Sequence, residues 1–173
     1  MQYSLLDRRP EGEFAEICGG TGVGIFAYGT IAGGFLTERW LDVADPGFAF
    51  ENRSLVKYRL IIEDFGGWGL FQELMQVLAG IARRHDASLA AVATRAMLDR
   101  SDVAAVIVGA RYAHHLDQAR QMDALRLDGE DRAAISSVLA RARGPHGPVY
   151  GLERDVATPH GRILKKNLNE GPA

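Results

Sequence analysis

The stretch DVAAVIVGA, residues 102–110, decides the fold class. It consists of small and β-branched residues without polar alternation and ends on a glycine. A half-solvated strand alternates apolar and polar side chains. A continuous apolar run therefore expects cover on both faces, as in a parallel sheet flanked by helices. A second run, IFAY at 25–28, empties into a loop carrying Gly29, Gly33 and Gly34, and a third, YSLL at 3–6, opens the chain. Between the runs the apolar spacing changes to three and four. Leu70, Leu74, Leu78 and Ile81, with Phe71 and Met75 beside them, mark the clearest helix. It ends on Arg83, Arg84 and His85, cations suited to a helix C-terminus. Asp86 or Ser88 caps the next helix, with Leu89, Val92, Ala96 and Met97 inward. Shorter helices are expected at 10–19, where Pro10 stands in the first turn, and at 54–63, with Leu55, Tyr58 and Ile62 on one side. After the last strand, helices are expected over 112–123 and 128–142, the second capped by Asp128 and stopped by Gly144.

This order of strand, helix, strand, helices, strand, helices demands a parallel sheet joined by crossover helices. The expected fold class is α/β. Residues 1–143 form the strand-and-helix unit and 144–173 an irregular tail. Residues 36–53, with Trp40 and Pro46, read as a long surface loop, and a loop that long in a compact domain is more often functional than idle. Three strands leave both sheet edges unpaired and flanked by Val and Ile, so a further piece is expected to complete the sheet.

The chain has 173 residues, 47% hydrophobic and 24% charged, which excludes disorder as its main description. A net charge of −2 offers no basic field for nucleic acid. The single cysteine, Cys18, forms no internal disulfide, which fits a reducing compartment. With no base near it in sequence, it reads as a small buried residue. No apolar run approaches the ~18–20 residues of a membrane span, so the expectation is a cytoplasmic chain without membrane association. Arg162, Lys165 and Lys166 form a solvated basic tail. Gly20, Gly22 and Gly24 alternate as in a dinucleotide fingerprint, but they follow a helix and open a strand, the reverse of what that motif requires. His114 and His115, adjacent on a helix, point about 100° apart, so they read as a surface pair and no metal site is expected.

Four stretches, QYSLLDRRPE (2–11), AYGTIAGGFLTERWL (27–41), VIVGAR (106–111) and LERD…HGRILKKNLN (152–169), together resemble the aldo-keto reductases. Their order and spacing are similar to the sixth, seventh and eighth strands and the C-terminal tail of that family's (β/α)8 barrel. The resemblance implies the C-terminal half of a TIM barrel. It also implies NAD(P)H-dependent reduction of an aldehyde or ketone to an alcohol, with NADP (or NAD) across the C-terminal mouth of the barrel. On the same resemblance, Tyr28 stacks against the nicotinamide ring. The segment with Gly29, Ile31 and Gly33 meets the pyrophosphate, where a backbone without Cβ can approach an anion closely. Gly109 and Arg111 match a GAR turn ahead of a helix, and Arg111 is the candidate partner of a 2′-phosphate. His115 and Gln118 stand where relatives clasp the ribose phosphate and adenine. Ala119 stands where relatives carry Asn, so the choice between NADP and NAD stays open. The glutamine with which relatives bond the nicotinamide carboxamide falls before Met1, so Gln2 is not that partner.

The family's catalytic Asp, Tyr, Lys and His come from the first four strands of its barrel, so no catalytic residue is expected in this chain. The lysines agree. Lys57 lies in a loop-helix segment and Lys165 and Lys166 in the tail, none at the end of a buried strand. One reading is an enzyme represented here by its cofactor-binding half. The other is a noncatalytic half-barrel that binds nucleotide or a partner chain, by self-association or by pairing with an N-terminal half-barrel. The start MQYSLLDRRP, in mid-strand, favours the first reading. A regulatory subunit is a third reading, which no residue separates from the enzyme. Trp40 and Trp68 border the long loop and either shape a substrate pocket or pack.

Overall fold

The computed structural model describes residues 1–110 and 112–163, apart from the side chains of His114 and Gln118. Among them the chain runs α1 (Glu13–Thr21), β1 (Ile25–Tyr28), α2 (Arg53–Phe65), α3 (Gly67–Arg84), α4 (Leu89–Leu98), β2 (Val103–Ile107), α5 (His114–Ala124) and α6 (Gly129–Leu139). Two four-residue helices follow, α7 (Gly151–Arg154) and α8 (Pro159–Arg162). β1 and β2 pair in parallel, with Phe26 beside Ala105 and Tyr28 beside Ile107. Parallel partners need a long crossover, supplied here by α2, α3 and α4.

The helices begin where side chains satisfy their free N–H groups. Asn52 Oδ1 accepts from the Ser54 N–H at 2.8 Å. Ser88 Oγ accepts from the Ala91 N–H at 3.2 Å, which makes Ser88 the cap of α4. Asp128 and Asp131 form a reciprocal capping box on α6. α3 buries Phe71, Leu74, Met75, Leu78 and Ile81 on the expected stripe. α6 ends at Leu139 rather than near 142, its last turn loosening into bonds from Arg141 N–H to Val138 O and from Ala142 N–H to Leu139 O.

Three expectations need correcting. Residues 3–6 do not form a strand. Gln2 alone bridges Tyr28, with Tyr28 N–H donating to Met1 O at 2.8 Å and Tyr3 N–H donating to Tyr28 O at 3.1 Å. The chain then turns, because Ser4 Oγ accepts from the Leu6 and Asp7 N–H groups and takes the place of a strand neighbour. Tyr3, Leu5 and Leu6 are nonetheless buried, so the run's hydrophobicity marked core and not a strand. The run 102–110 is covered on one face only. Val106, paired with the fully buried Ala27, packs on the core, whereas on the opposite face Ile107 is 55% exposed and Phe26, on β1, is 59% exposed. The loop 36–53 is not simply a surface loop. Phe35, Leu36 and Trp40 are core residues, and Phe35 packs against Trp40, Phe50, Trp68 and Phe71. Gln72 of α3 pins the loop from both ends of its amide, to Trp40 O and Asp42 N–H, and Trp68 Nε1 donates to Val43 O. Trp40 and Trp68 thus pack.

Several bonds tie the segment after α6 to the rest. Arg143 N–H donates to Phe65 O, His160 Nε2 meets Asp64 Oδ2 at 2.7 Å, and Glu153 on α7 is bound by Arg9.

Candidate functional site

β1 delivers Tyr28 and then turns with positive φ at Gly29 (+71°) and Gly33 (+64°). Tyr58 of α2 lies across that turn. A Cβ at Gly33 would come 2.5 Å from the Tyr58 ring, and one at Gly29 would run into its hydroxyl. Backbone conformation and space both demand glycine there. β2 ends alongside, at Ile107, Val108 and Gly109. Together with Thr30 and Ile31, Ser54 and Tyr58 of α2, Ala90, Ala91 and Thr94 of α4, and His115, Ala119 and Met122 of α5, these ends enclose a cleft of about 270 Å³.

Gly29, Ile31, Gly33, Gly109 and His115, five of the candidate residues, line this cleft. Tyr28 stands one residue before it, half-buried, with its phenol pushed up to about 12 by burial and then by a hydrogen bond with Tyr150. Tyr28 is therefore a neutral phenol at physiological pH. Arg111 and the Gln118 side chain lie outside the described residues. Sequence reasoning missed Thr30, Ser54, Tyr58 and Thr94 as wall residues. One signal was available: Thr94 is a polar residue among the buried apolar residues Leu89, Ala90, Val92, Ala93 and Met97 of α4.

The cleft offers mainly neutral donors. No lysine or arginine is among its described lining residues. At the start of α4, Leu89 N–H is taken by Glu38 Oε1 at 2.6 Å and Ala91 N–H by Ser88 Oγ, while Ala90 N–H between them has no acceptor among the described residues. Thr30 and Thr94 are buried with their hydroxyl oxygens 3.1 Å apart. Tyr58's phenol, pushed up to about 12 by burial, stays neutral. His115 Nδ1 accepts from Tyr112 N–H at 3.4 Å. A turn with glycine at 29 and 33, the first turns of two helices and a set of hydroxyls suit a phosphate-bearing ligand. The volume is slightly below the ~300–1,000 Å³ of pockets that enclose drug-sized ligands, so these walls suit part of a dinucleotide.

Beside the cleft runs a buried polar network. Gln2 is committed at both ends, its Nε2 donating to Asp7 Oδ2 and its Oε1 accepting from Lys57 Nζ, each at 2.7 Å. Burial holds the Lys57 ammonium below its ordinary pKa. Arg9 is bidentate to Asp7, at 2.8 and 2.7 Å, and again to Glu153, at 3.1 Å twice. Burial resists ionisation of Glu153, but Arg9 outweighs it and holds the carboxyl below its ordinary value.

One further cluster has metal-ligand atoms: His85, Asp128 and Asp131 approach within 4.8 Å of one another. Arg84 already binds Asp128, Glu130 and Asp131, and His85 Nε2 meets Asp131 Oδ2 at 2.8 Å. That arrangement is an ionic clasp between the end of α3 and the start of α6. Cys18 is buried. No helix among the described residues is long and apolar enough to cross a membrane.

With this geometry in place, comparison with known proteins is direct. The aldo/keto reductase family model matches residues 1–140. A glycerol dehydrogenase from Gluconobacter oxydans superposes with a TM-score of 0.68 at 22% identity, over 85% of this chain and 43% of that one. The chain thus spans less than half the length of that enzyme, and at this identity the likeness is one of fold. No curated protein matches the sequence. The crossover-linked parallel strands are part of a (β/α)8 barrel, and the chain belongs to the aldo/keto reductase family.

Proposed function

We propose that the chain is the cofactor-binding portion of an NAD(P)H-dependent oxidoreductase that takes aldehydes or ketones to alcohols. The observation that carries this reading is the cleft at the ends of β1 and β2, the end of the strands at which barrel enzymes build their sites. NADP or NAD, when bound, supplies the hydride chemistry. Gly29, Ile31 and Gly33 present backbone to the pyrophosphate, and Tyr28 offers a neutral aromatic face to the nicotinamide. Gly109, Arg111, His115 and Gln118 take the adenosine end. No residue of this chain is assigned to proton transfer. Lys57 is engaged by Gln2 on a helix, not posted at a strand end. In this reading the chain binds and orients, and the Asp, Tyr, Lys and His of the family reside on the preceding strands of a whole barrel.

A second reading, a noncatalytic half-barrel that pairs with another chain, draws on the exposed apolar side chains of Phe26 and Ile107. One experiment separates the two. The 173-residue chain is titrated with NADPH while the fluorescence of Trp40 and Trp68 is followed, and NADPH consumption is then assayed with an aldehyde. Saturable binding without consumption by the chain alone is expected. Absence of binding overturns the nucleotide reading, and turnover by the isolated chain overturns the placement of the catalytic groups elsewhere.

A further inference from the structure

Thr30 and Thr94 carry an imbalance that the fold does not use. Thr30 is 2% exposed and Thr94 4% exposed, and both line the cleft. Their hydroxyls share a single hydrogen bond of 3.1 Å across 64 residues of sequence. Two hydroxyls hold two protons, and a mutual bond employs one of them. No backbone carbonyl or carboxylate among the described residues accepts the other, although α4 offers Thr94 carbonyls one turn back. A buried donor without an acceptor costs the fold free energy unless something in the cleft accepts it.

The surroundings define the chemistry of that acceptor. On one side lies the turn from Gly29 to Gly33, whose two glycines carry no Cβ. On the other lies the first turn of α4, where Ala90 and Ala91 share the face of Thr94 one turn earlier and Ala90 N–H finds no acceptor among the described residues. The positive end of the α4 dipole adds to the preference for negative charge. We infer that the Thr30–Thr94 hydroxyl pair is a binding element for a phosphate oxygen of the nucleotide. One hydroxyl accepts from its partner and donates its own proton to that oxygen, and the partner fixes its direction. This inference rests on the nucleotide reading above and deepens it.

The test uses the Thr30→Val/Thr94→Val double variant of the full chain. Replacing both partners of a buried hydrogen bond by groups of the same shape is nearly neutral or stabilising for a fold. The double variant is therefore expected to melt at or above the wild-type temperature yet bind NADPH and 2′-phospho-ADP-ribose about tenfold more weakly or worse, the cost of a lost bond to a charged acceptor. Thr30→Ser/Thr94→Ser, which keeps both hydroxyls, is expected to bind within about twofold of wild type. Double-valine binding equal to wild type overturns the inference and leaves the nucleotide reading intact. A loss confined to NADPH, with 2′-phospho-ADP-ribose unaffected, overturns the phosphate assignment, because that probe carries every phosphate of NADPH and lacks only the nicotinamide. A wild-type chain that binds neither probe overturns both readings together.

Discussion

Arg9 provides the sharpest test of how the cleft is held in place. Its side chain is 2% exposed and that of its partner Asp7 is 1% exposed, and the same guanidinium reaches Glu153 on α7. Arg9→Met keeps much of the aliphatic stem but strands two carboxylates. Breaking a buried pair by removing one partner costs about 3–5 kcal/mol, because the remaining charge is left uncompensated. Gln2 Nε2 still donates to Asp7 and Glu153 retains some solvent, so the lower end, near 3 kcal/mol, is expected. That is a large fraction of the ~5–15 kcal/mol that holds an ordinary domain together. The assay is urea unfolding followed by the fluorescence of Trp40 and Trp68, with the slope unchanged and the midpoint lowered. Asp7→Asn in the Arg9→Met background should restore part of the loss, since it removes a stranded charge. The pH dependence has a fixed sign. Glu153 titrates below its ordinary 4.5 in the folded state, so its contribution is fully present above that value. It fades as pH falls through the depressed folded value, and the acid-side slope should flatten in Arg9→Met. A loss below about 1 kcal/mol would refute the reasoning, since that is what an exposed ion pair gives.

Other substitutions probe the turn and the core. Gly33→Ala forces a Cβ into left-handed backbone and against the Tyr58 ring, so stability should drop by at least about 1–2 kcal/mol, with NADPH affinity reduced alongside. A variant that tolerates alanine in both assays would show that the turn does not need bare backbone. Phe35→Ala empties the centre of the cluster with Trp40, Phe50, Trp68 and Phe71 and should cost about 3–5 kcal/mol in urea unfolding. A cost under about 1 kcal/mol would mean that the loop 36–53 detaches easily from α3.

What the sequence disclosed follows the range of the interactions involved. α3 was legible because Leu70, Leu74, Leu78 and Ile81 repeat at helical spacing, and α6 because Asp128 announces its own cap. The turn after β1 was legible because Gly29 and Gly33 are local demands on backbone. The strand expected at 3–6 failed because Ser4, a single side chain, diverts the hydrogen bonds that a hydrophobic count ascribes to a neighbour. The cover expected over 102–110 failed on one face, since Phe26 and Ile107 face away from the helices. Long-range contacts were silent. Thr30 meets Thr94 across 64 residues, and Arg9 meets Glu153 across 144. No periodicity encodes such pairings, and the position of Tyr58 over the glycine turn depends on how α2 packs.

The most direct test of the central claim is an amide-resolved NMR titration of the 173-residue chain with NADP. The account predicts saturable shifts concentrated at Gly29–Gly33, Ala90–Thr94 and Gly109, with the Arg84–Asp131 clasp undisturbed. Saturable shifts centred elsewhere, or none up to millimolar NADP, would contradict the assignment of this cleft as the nucleotide site.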